Sequence, residues 1–472
     1  MRPSRAFLAA VLLIPLALPA WSATYYVAPK NAAAVTGRDG SKSKPFSTPT
    51  AALNRAKAGD TILLLDGDYD ALIVKNKTFS GQVTIRSANG KKARVERVSV
   101  EGNSSNVLVQ NMSVWASNPD TSKADRVRAG NSTKDVVFDG LDVRSDKNAG
   151  SYATWTKAQW ASRSTKGFNS GGTRVTVKNS TFTGFGFSAV MTGTYNKALN
   201  NTIQGFSMDA MRVLGDYSTV QGNRIVDAVR INSNHPDAIQ SWSQNGKPVK
   251  GMVIADNMII EWASKKKSPL SSGVQGIGFF DGFYDGMTIK NNTIAISAYH
   301  GISVYGGRKL SVTGNKVLNI SGQAKTYPWI GIYSHKNGTP ATDVTVSGNQ
   351  AMKFSGKSNA KNGVVFSGNT VLTNTTSMLE GILGSVSLPL LPALENEPAP
   401  GPGQGARASA LMAKTVQPGL AFTTFEEAAP TAPSAVDLGS EPAPVPLPAA
   451  GWLMVAVLGG LGLLGRRRKA TA

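Results

Sequence analysis

Side chains able to do chemistry are scarce in this 472-residue chain, which has no Cys and three His, at 235, 300 and 335. Thiolate catalysis, disulfides and thiolate zinc sites are therefore excluded. Three scattered His with no His-x-Glu spacing also argue against a deaminase-type zinc centre. The informative residues fall in short, similar segments that share a Gly/Ala-apolar core. They read Asp209-Ala210-Met211-Arg212-Val213-Leu214, Asp237-Ala238-Ile239-Gln240-Ser241-Trp242, Gln275-Gly276-Ile277-Gly278-Phe279-Phe280, His300-Gly301-Ile302-Ser303-Val304-Tyr305 and Ile330-Gly331-Ile332-Tyr333-Ser334-His335. As strands, they send Met211, Ile239, Ile277, Ile302 and Ile332 into a core. The outer face then carries Arg212, Gln240, Trp242, Phe280, Ser303, Tyr305, Tyr333 and His335, edged by Asp209, Asp237, Gln275 and His300. With stacked strands about 4.8 Å apart, Asp209 and Asp237 become neighbours, and His235 lies just upstream of the second.

Two chemistries fit that face. For β-elimination on a uronate, Arg212 would neutralise the sugar carboxylate, His235 or His300 would remove the C5 proton, and Tyr305 would assist the leaving oxygen. For hydrolysis, Asp209 and Asp237 would act as the paired carboxylates. Trp242, Phe280 and Tyr305 form an outer aromatic column suited to stacking on sugar rings, with Tyr333 and His335 beside it. The plainer alternatives are that each Asp merely caps a turn and that the aromatics pack beneath a loop. His235-Pro236-Asp237-Ala238-Ile239-Gln240 puts His235 and Asp237 on one side of an extended chain, and Gln240 adds an amide able to meet a sugar hydroxyl. Calcium is a further expectation, at Asp281 and Asp285, although their spacing matches no specific binding loop. Lys265-Lys266-Lys267 reads as a solvated loop tip that would also attract a polyanion. Tyr152, Trp155 and Trp160 occupy an insertion at 144–172, read equally as a groove wall or as local core.

The elements that position these residues repeat. An apolar-x-(Asn/Gly/Asp)-Asn-x-apolar pattern recurs, as in Leu199-Asn200-Asn201-Thr202-Ile203, Ile254-Ala255-Asp256-Asn257-Met258-Ile259 and Val346-Ser347-Gly348-Asn349-Gln350-Ala351. From Asn201 the second-position Asn advances by 22, 34, 35, 23, 34 and 20 residues, which signals a solenoid or a propeller. Unequal steps and corner residues that tolerate a left-handed backbone favour a parallel β-helix with loops inserted in some coils, its corner Asn side chains laddering from rung to rung.

The entry to the repeats agrees. Thr24-Tyr25-Tyr26-Val27-Ala28-Pro29, then Thr48-Pro49-Thr50-Ala51-Ala52-Leu53-Asn54-Arg55-Ala56, then Gly59-Asp60-Thr61-Ile62-Leu63-Leu64-Leu65-Asp66-Gly67-Asp68-Tyr69 resembles the start of pectate-lyase-like proteins. That resemblance implies an all-β, right-handed parallel β-helix over 24–375, with an amphipathic helix at about 48–57 capping its open end. The superfamily includes polysaccharide lyases, glycoside hydrolases, epimerases, esterases and non-catalytic adhesins, so the fold leaves the reaction open.

Both ends read as addresses. Residues 1–23 carry Arg2 and Arg5, an apolar run Phe7 to Leu18 and small residues before Ala23, a signal peptide by pattern. From 376 to 444 the composition turns to Pro, Ala, Gly and Glu, an expected disordered linker. Residues 445–472 hold Val445-Pro446-Leu447-Pro448-Ala449, a short apolar stretch and Arg466-Arg467-Arg468-Lys469. This end resembles the VPLPA variant of PEP-CTERM sorting signals. It implies signal peptidase, transient anchoring in the inner membrane by the C-terminal helix, an exosortase-like sorting enzyme, and release or attachment at the surface of a Gram-negative cell. The chain has 50 Lys+Arg against 29 Asp+Glu, a formal net charge of +21. Because the linker is acidic, the excess sits in the body. An exported basic domain points to an acidic polysaccharide partner, and export without a recognised module disfavours nucleic acid. The expected function is action on a uronate-containing polysaccharide, by β-elimination first, with a non-catalytic surface or matrix adhesin and a hydrolase using Asp209 and Asp237 as alternatives.

Overall fold

The computed structural model describes residues 22–118, 124–163, 165–233, 235–243, 246–322, 327–356 and 358–385. The sorting signal expected at 445–472, the linker beyond 385 and nearly all of the signal peptide at 1–23 lie outside the described residues. Among the described residues no helix is long and apolar enough to cross a membrane.

The chain winds as a parallel β-helix. Three sheets of 15, 11 and 12 strands, here sheets I, II and III, take one short strand from each coil. Every main pairing is parallel and joins one coil to the next: Ala198 lies between Val177 and Val220 in sheet I, and Ile203 between Phe182 and Ile225 in sheet III. Alternate residues point inward, so β-branched and aromatic side chains fill a continuous core that includes Val220, Ile254 and Ile289 from sheet I, and Ile239, Ile277 and Ile302 from sheet II. Each such side chain contributes about 1.5–3 kcal/mol by leaving water.

The corner between sheets I and III is built by asparagines. Asn200, Asp256 and Asn291 adopt positive φ of 54°, 57° and 55°, which short polar residues tolerate. The residue after each turns its amide inward. Asn201, Asn223, Asn257, Asn292, Asn315 and Asn349 donate Nδ2 to Oδ1 of the next member at 2.9–3.0 Å, ending on Asn369. The expected ladder is therefore present, and the unequal repeat steps arise because coils insert different loops between matching corners.

A helix caps the N-terminal end of the solenoid. Helix Pro49–Arg55 starts at Thr48, whose hydroxyl accepts from the Ala51 amide at 3.2 Å, and buries Ala52 and Leu53. Past the last coil the structure differs from the sequence reading, with a helix laid on the outer side of sheet III. Helix Thr376–Ser385 stands where a disordered linker was expected to begin, because Leu379, Met378 and Ile382 pack on Ala295 and Leu318. Three apolar residues at helical spacing were hidden in the Pro- and Ala-rich context that follows them.

The insertion at 144–172 makes a local core. Its 3-10 helix Ala149–Thr154 and helix Lys157–Ser162 bury Tyr152, Trp155 and Trp160 with Val229. The Tyr152 hydroxyl and Ser264 both donate to the fully buried Asp227, which ties the insertion to the loop carrying Lys265, Lys266 and Lys267. Both segments leave from the corner joining sheet III to sheet II. The insertion packs on the sheet III side of that corner, where Trp155 covers Gly184 and Tyr152 covers Gly205.

Candidate functional site

Sheet II carries the site. Its outer column runs Ser99, Arg128, Asn169, Val190, Arg212, Gln240, Gly278, Ser303 and Gly331 in unbroken register. Beside it, where each strand leaves the sheet III corner, the same register aligns Lys166, Phe187, Asp209, Asp237, Gln275 and His300, and an irregularity in the next strand sets Trp329 beside His300.

The corner residues reach forward three positions to the outer column. Asp209 Oδ2 accepts from Arg212 Nε at 2.5 Å, Asp237 Oδ2 accepts from Gln240 Nε2 at 2.7 Å, and His300 Nδ1 hydrogen-bonds Ser303 Oγ at 2.9 Å. The rung between them breaks the pattern, because Gln275 faces Gly278. Its Oε1 is buried and has no hydrogen-bond partner among the described residues.

The paired aspartates are adjacent, as expected, with the Asp237 amide donating to Asp209 Oδ1 at 3.3 Å. They lie beneath the surface: Asp209 is 4% exposed and Asp237 0%. Burial is the main cause that raises both carboxyls, Asp237 to about 7 with added repulsion from Asp209, while Arg212 acts against the rise at Asp209. His235 Nδ1 stands 3.7 Å from Asp237 Oδ1, an ion-pair distance too long for a hydrogen bond. That carboxylate raises the His235 pKa, whereas burial and the charge of His235 push His300 down to about 4. Gln240, expected to meet a sugar hydroxyl, is instead held by Asp237.

Arg212 is clamped as well as paired. Its guanidinium lies 4.1 Å from the Phe187 ring centre and 5.0 Å from that of Trp242, so Trp242 acts as a support for the cation. It is not part of the aromatic column expected with Phe280 and Tyr305. The reason is a bulge: Ser241 pairs with Phe279 but Trp242 with Asp281, which leaves Phe280 as an extra residue thrown onto the face. Phe280 approaches His300 and Tyr305 at 4.9 and 5.9 Å, and Tyr305 stacks on Tyr333 at 4.6 Å. Glycines seat two of these rings: a Cβ at 278 would fall 2.3 Å from the Phe280 ring, and one at 331 would fall 2.4 Å from the Tyr333 hydroxyl.

The last of the five aligned segments is shifted by two residues from the sequence alignment. Ile302 pairs with Ile330, and Val304 with Ile332, so Tyr333 lies under Tyr305 and His335 falls past the end of its strand. His335 stacks on Phe283 at 4.2 Å and accepts from the Asn337 amide, outside the face. A two-residue shift preserves the inward and outward alternation and hence hides from pattern reading. Asp281 and Asp285, the expected calcium ligands, are each paired with a cation, Lys336 and Arg308 respectively. Among the described residues no three His, Cys, Asp or Glu gather to hold a metal.

Sequence reasoning missed Phe187, Trp329 and Tyr299. Phe187 opens a strand with Ser188 where the other segments have Gly or Ala. Tyr299 and Trp329 sit just before the aligned segments, stack at 5.6 Å and flank His300, giving the corner side of the groove its own aromatic wall.

No family model and no curated protein matches the chain. Among solved structures it is similar to the Dettilon tailspike protein, with 14% identity over 68% of this chain, a TM-score of 0.47, and 62% of the tailspike's own length spanned. It is also similar to the A-module of mannuronan C-5 epimerase AlgE6 from Azotobacter vinelandii, with 14% identity, 69% of this chain and 88% of that one covered, and a TM-score of 0.43. An alginate lyase from a Paenibacillus species matches at 15% identity, with 66% and 98% of the two chains covered and a TM-score of 0.42. At these values the matches carry no argument about chemistry, which rests on the residues described above.

Proposed function

We propose that this protein is an exported enzyme that binds an acidic, uronate-containing polysaccharide along the outer face of sheet II and cleaves it by β-elimination. The observation that carries the reading is the opposed tuning of two His on one face beside a clamped arginine. Titratable groups whose surroundings drive them apart divide acid and base roles. His300, held neutral at physiological pH, takes the C5 proton on Nε2 when its own proton sits on Nδ1 and is donated to Ser303. The C5 electron pair forms the C4–C5 double bond, and the C4–O bond breaks. The departing oxygen takes a proton from His235, whose pKa the neighbouring Asp237 raises. Arg212 pairs with the sugar carboxylate and stabilises charge developing at C5, while Phe280, Tyr305 and Tyr333 offer ring faces to neighbouring sugars. Hydrolysis by Asp209 and Asp237 is disfavoured, because both carboxylates are enclosed and already hold side chains of the site.

The second reading, a non-catalytic surface binder, draws support from the same hydrogen bonds, since Arg212 and Asp237 have protein partners. Incubating the full chain with polymannuronate, polyguluronate and polygalacturonate, with and without calcium, separates the two. Elimination gives new ultraviolet absorbance from an unsaturated uronate together with new reducing ends. Reducing ends alone mean hydrolysis, and neither product with retained binding makes the protein a binder.

A further inference from the structure

A second cationic cleft lies on the same sheet. It has a volume of about 670 Å³ and is lined by Arg97, Arg128 and Lys166, with Asp125 and Glu101 between them. Arg128 and Lys166 approach Asp125 at 3.2 and 4.0 Å, and Asn169 donates to the same carboxylate at 2.7 Å. Ser99 donates to Glu101 at 2.6 Å. Asp125 thus gathers Arg128 and Lys166 in the cleft, and both cations keep solvent-facing surface: the Arg128 side chain is 45% exposed and that of Lys166 38%.

Register connects this cleft to the site already described. Arg128 and Arg212 belong to one outer column, separated by Asn169 and Val190, three rungs or about 14 Å apart. Lys166 pairs with Phe187, the ring that clamps Arg212. Between the two cationic positions the floor is Asn169, whose amide is held by Asp125, and Val190, which is 9% exposed. A polyanion laid across the strands over Arg212 therefore meets the cleft as it continues towards the N-terminal end.

We infer that the Arg97, Arg128 and Lys166 cleft is a remote subsite for the carboxylates of the same polyuronate chain, so that the protein selects long polymers over short oligomers. This rests on the proposed function above. Short oligomers occupy the stretch from Arg212 to Tyr333 and leave the cleft empty; long ones reach both and gain a second set of charge-assisted contacts.

The test is calorimetric titration of the full chain with mannuronate and galacturonate trimers and octamers, for the wild type, Arg128→Ala and the Arg97→Ala/Arg128→Ala pair. Circular dichroism checks the fold, and Arg128→Gln serves as a second variant if the alanine chain misfolds. The wild type is expected to bind octamer about tenfold more tightly than trimer, with the advantage weakened by salt and lost in the double variant, whose trimer affinity is unchanged. A length advantage that survives in the variants, or its absence from the wild type while trimer still binds, overturns the subsite and leaves the proposed function standing. Failure of both oligomers to bind the wild type overturns both.

Discussion

Asp237→Asn should make the protein more stable, with the gain appearing as pH rises. The carboxyl is wholly enclosed, and enclosure with the neighbouring Asp209 raises it from 3.8 to about 7. Between those values the folded chain keeps a proton that the unfolded chain has released, so stability falls with rising pH across that window and stays lower above it. The displacement corresponds to about 4 kcal/mol, with the attraction of His235 already included. Asn has the same shape and can still accept from Gln240, while its amide can donate towards neutral His235. Guanidinium unfolding of both chains, followed by circular dichroism, should show near-equal stability at about pH 3.5 and an advantage for Asn approaching 4 kcal/mol at about pH 8. A gap that does not change with pH would refute the assignment of a costly buried charge at 237. The same variant bears on catalysis, since it removes the carboxylate that raises the His235 pKa; turnover should fall most above about pH 7, where Asp237 is ionised and the stability gain appears.

His300→Gln should abolish elimination, by at least about a hundredfold in kcat/KM, without unfolding the chain. Because His300 is lowered to about 4, the unfolded chain holds the extra proton between about 4 and 6.5. Wild-type stability is therefore lost as pH falls through that window, and the variant should lack this loss when the two denaturation series are compared. Asn257→Ala removes acceptance from the Asn223 backbone and side-chain amides and donation to Val220 and Asn292. The expected cost is about 3–5 kcal/mol, read from denaturant midpoints. Asn369→Ala, at the half-buried end of the ladder, should cost less, and equal losses would contradict the ladder account.

Much of the fold was legible because its signals are local. A short strand followed by an Asn or Gly able to turn left-handed repeats often enough to reveal a solenoid, and the ladder follows because identical amides stacked at one corner can satisfy each other. Inward and outward residues of sheet II were also readable, since strand alternation depends only on parity. The adjacency of Asp209 and Asp237 came from the same reasoning.

What alternation cannot carry is displacement by two, bulges, depth and the partner of a side chain. His335 was placed on the face by an alignment two residues out, and only pairing of Ile302 with Ile330 removes it. Trp242 was assigned to a sugar-stacking column from which the bulge at Phe280 excludes it. The sequence offers Asp209 and Asp237 as paired carboxylates at the edge of the face or as turn caps; their burial and their attachment to Arg212 and Gln240 depend on packing between coils. The sequence by itself determined the coil, the corner chemistry, the scarcity of reactive groups and the basic charge, because each depends on residue type and short spacing. Only the tertiary structure decided which side chains share a groove, how deep each lies and which charges compensate one another, because those depend on register between coils and on the low-dielectric surroundings that packing creates.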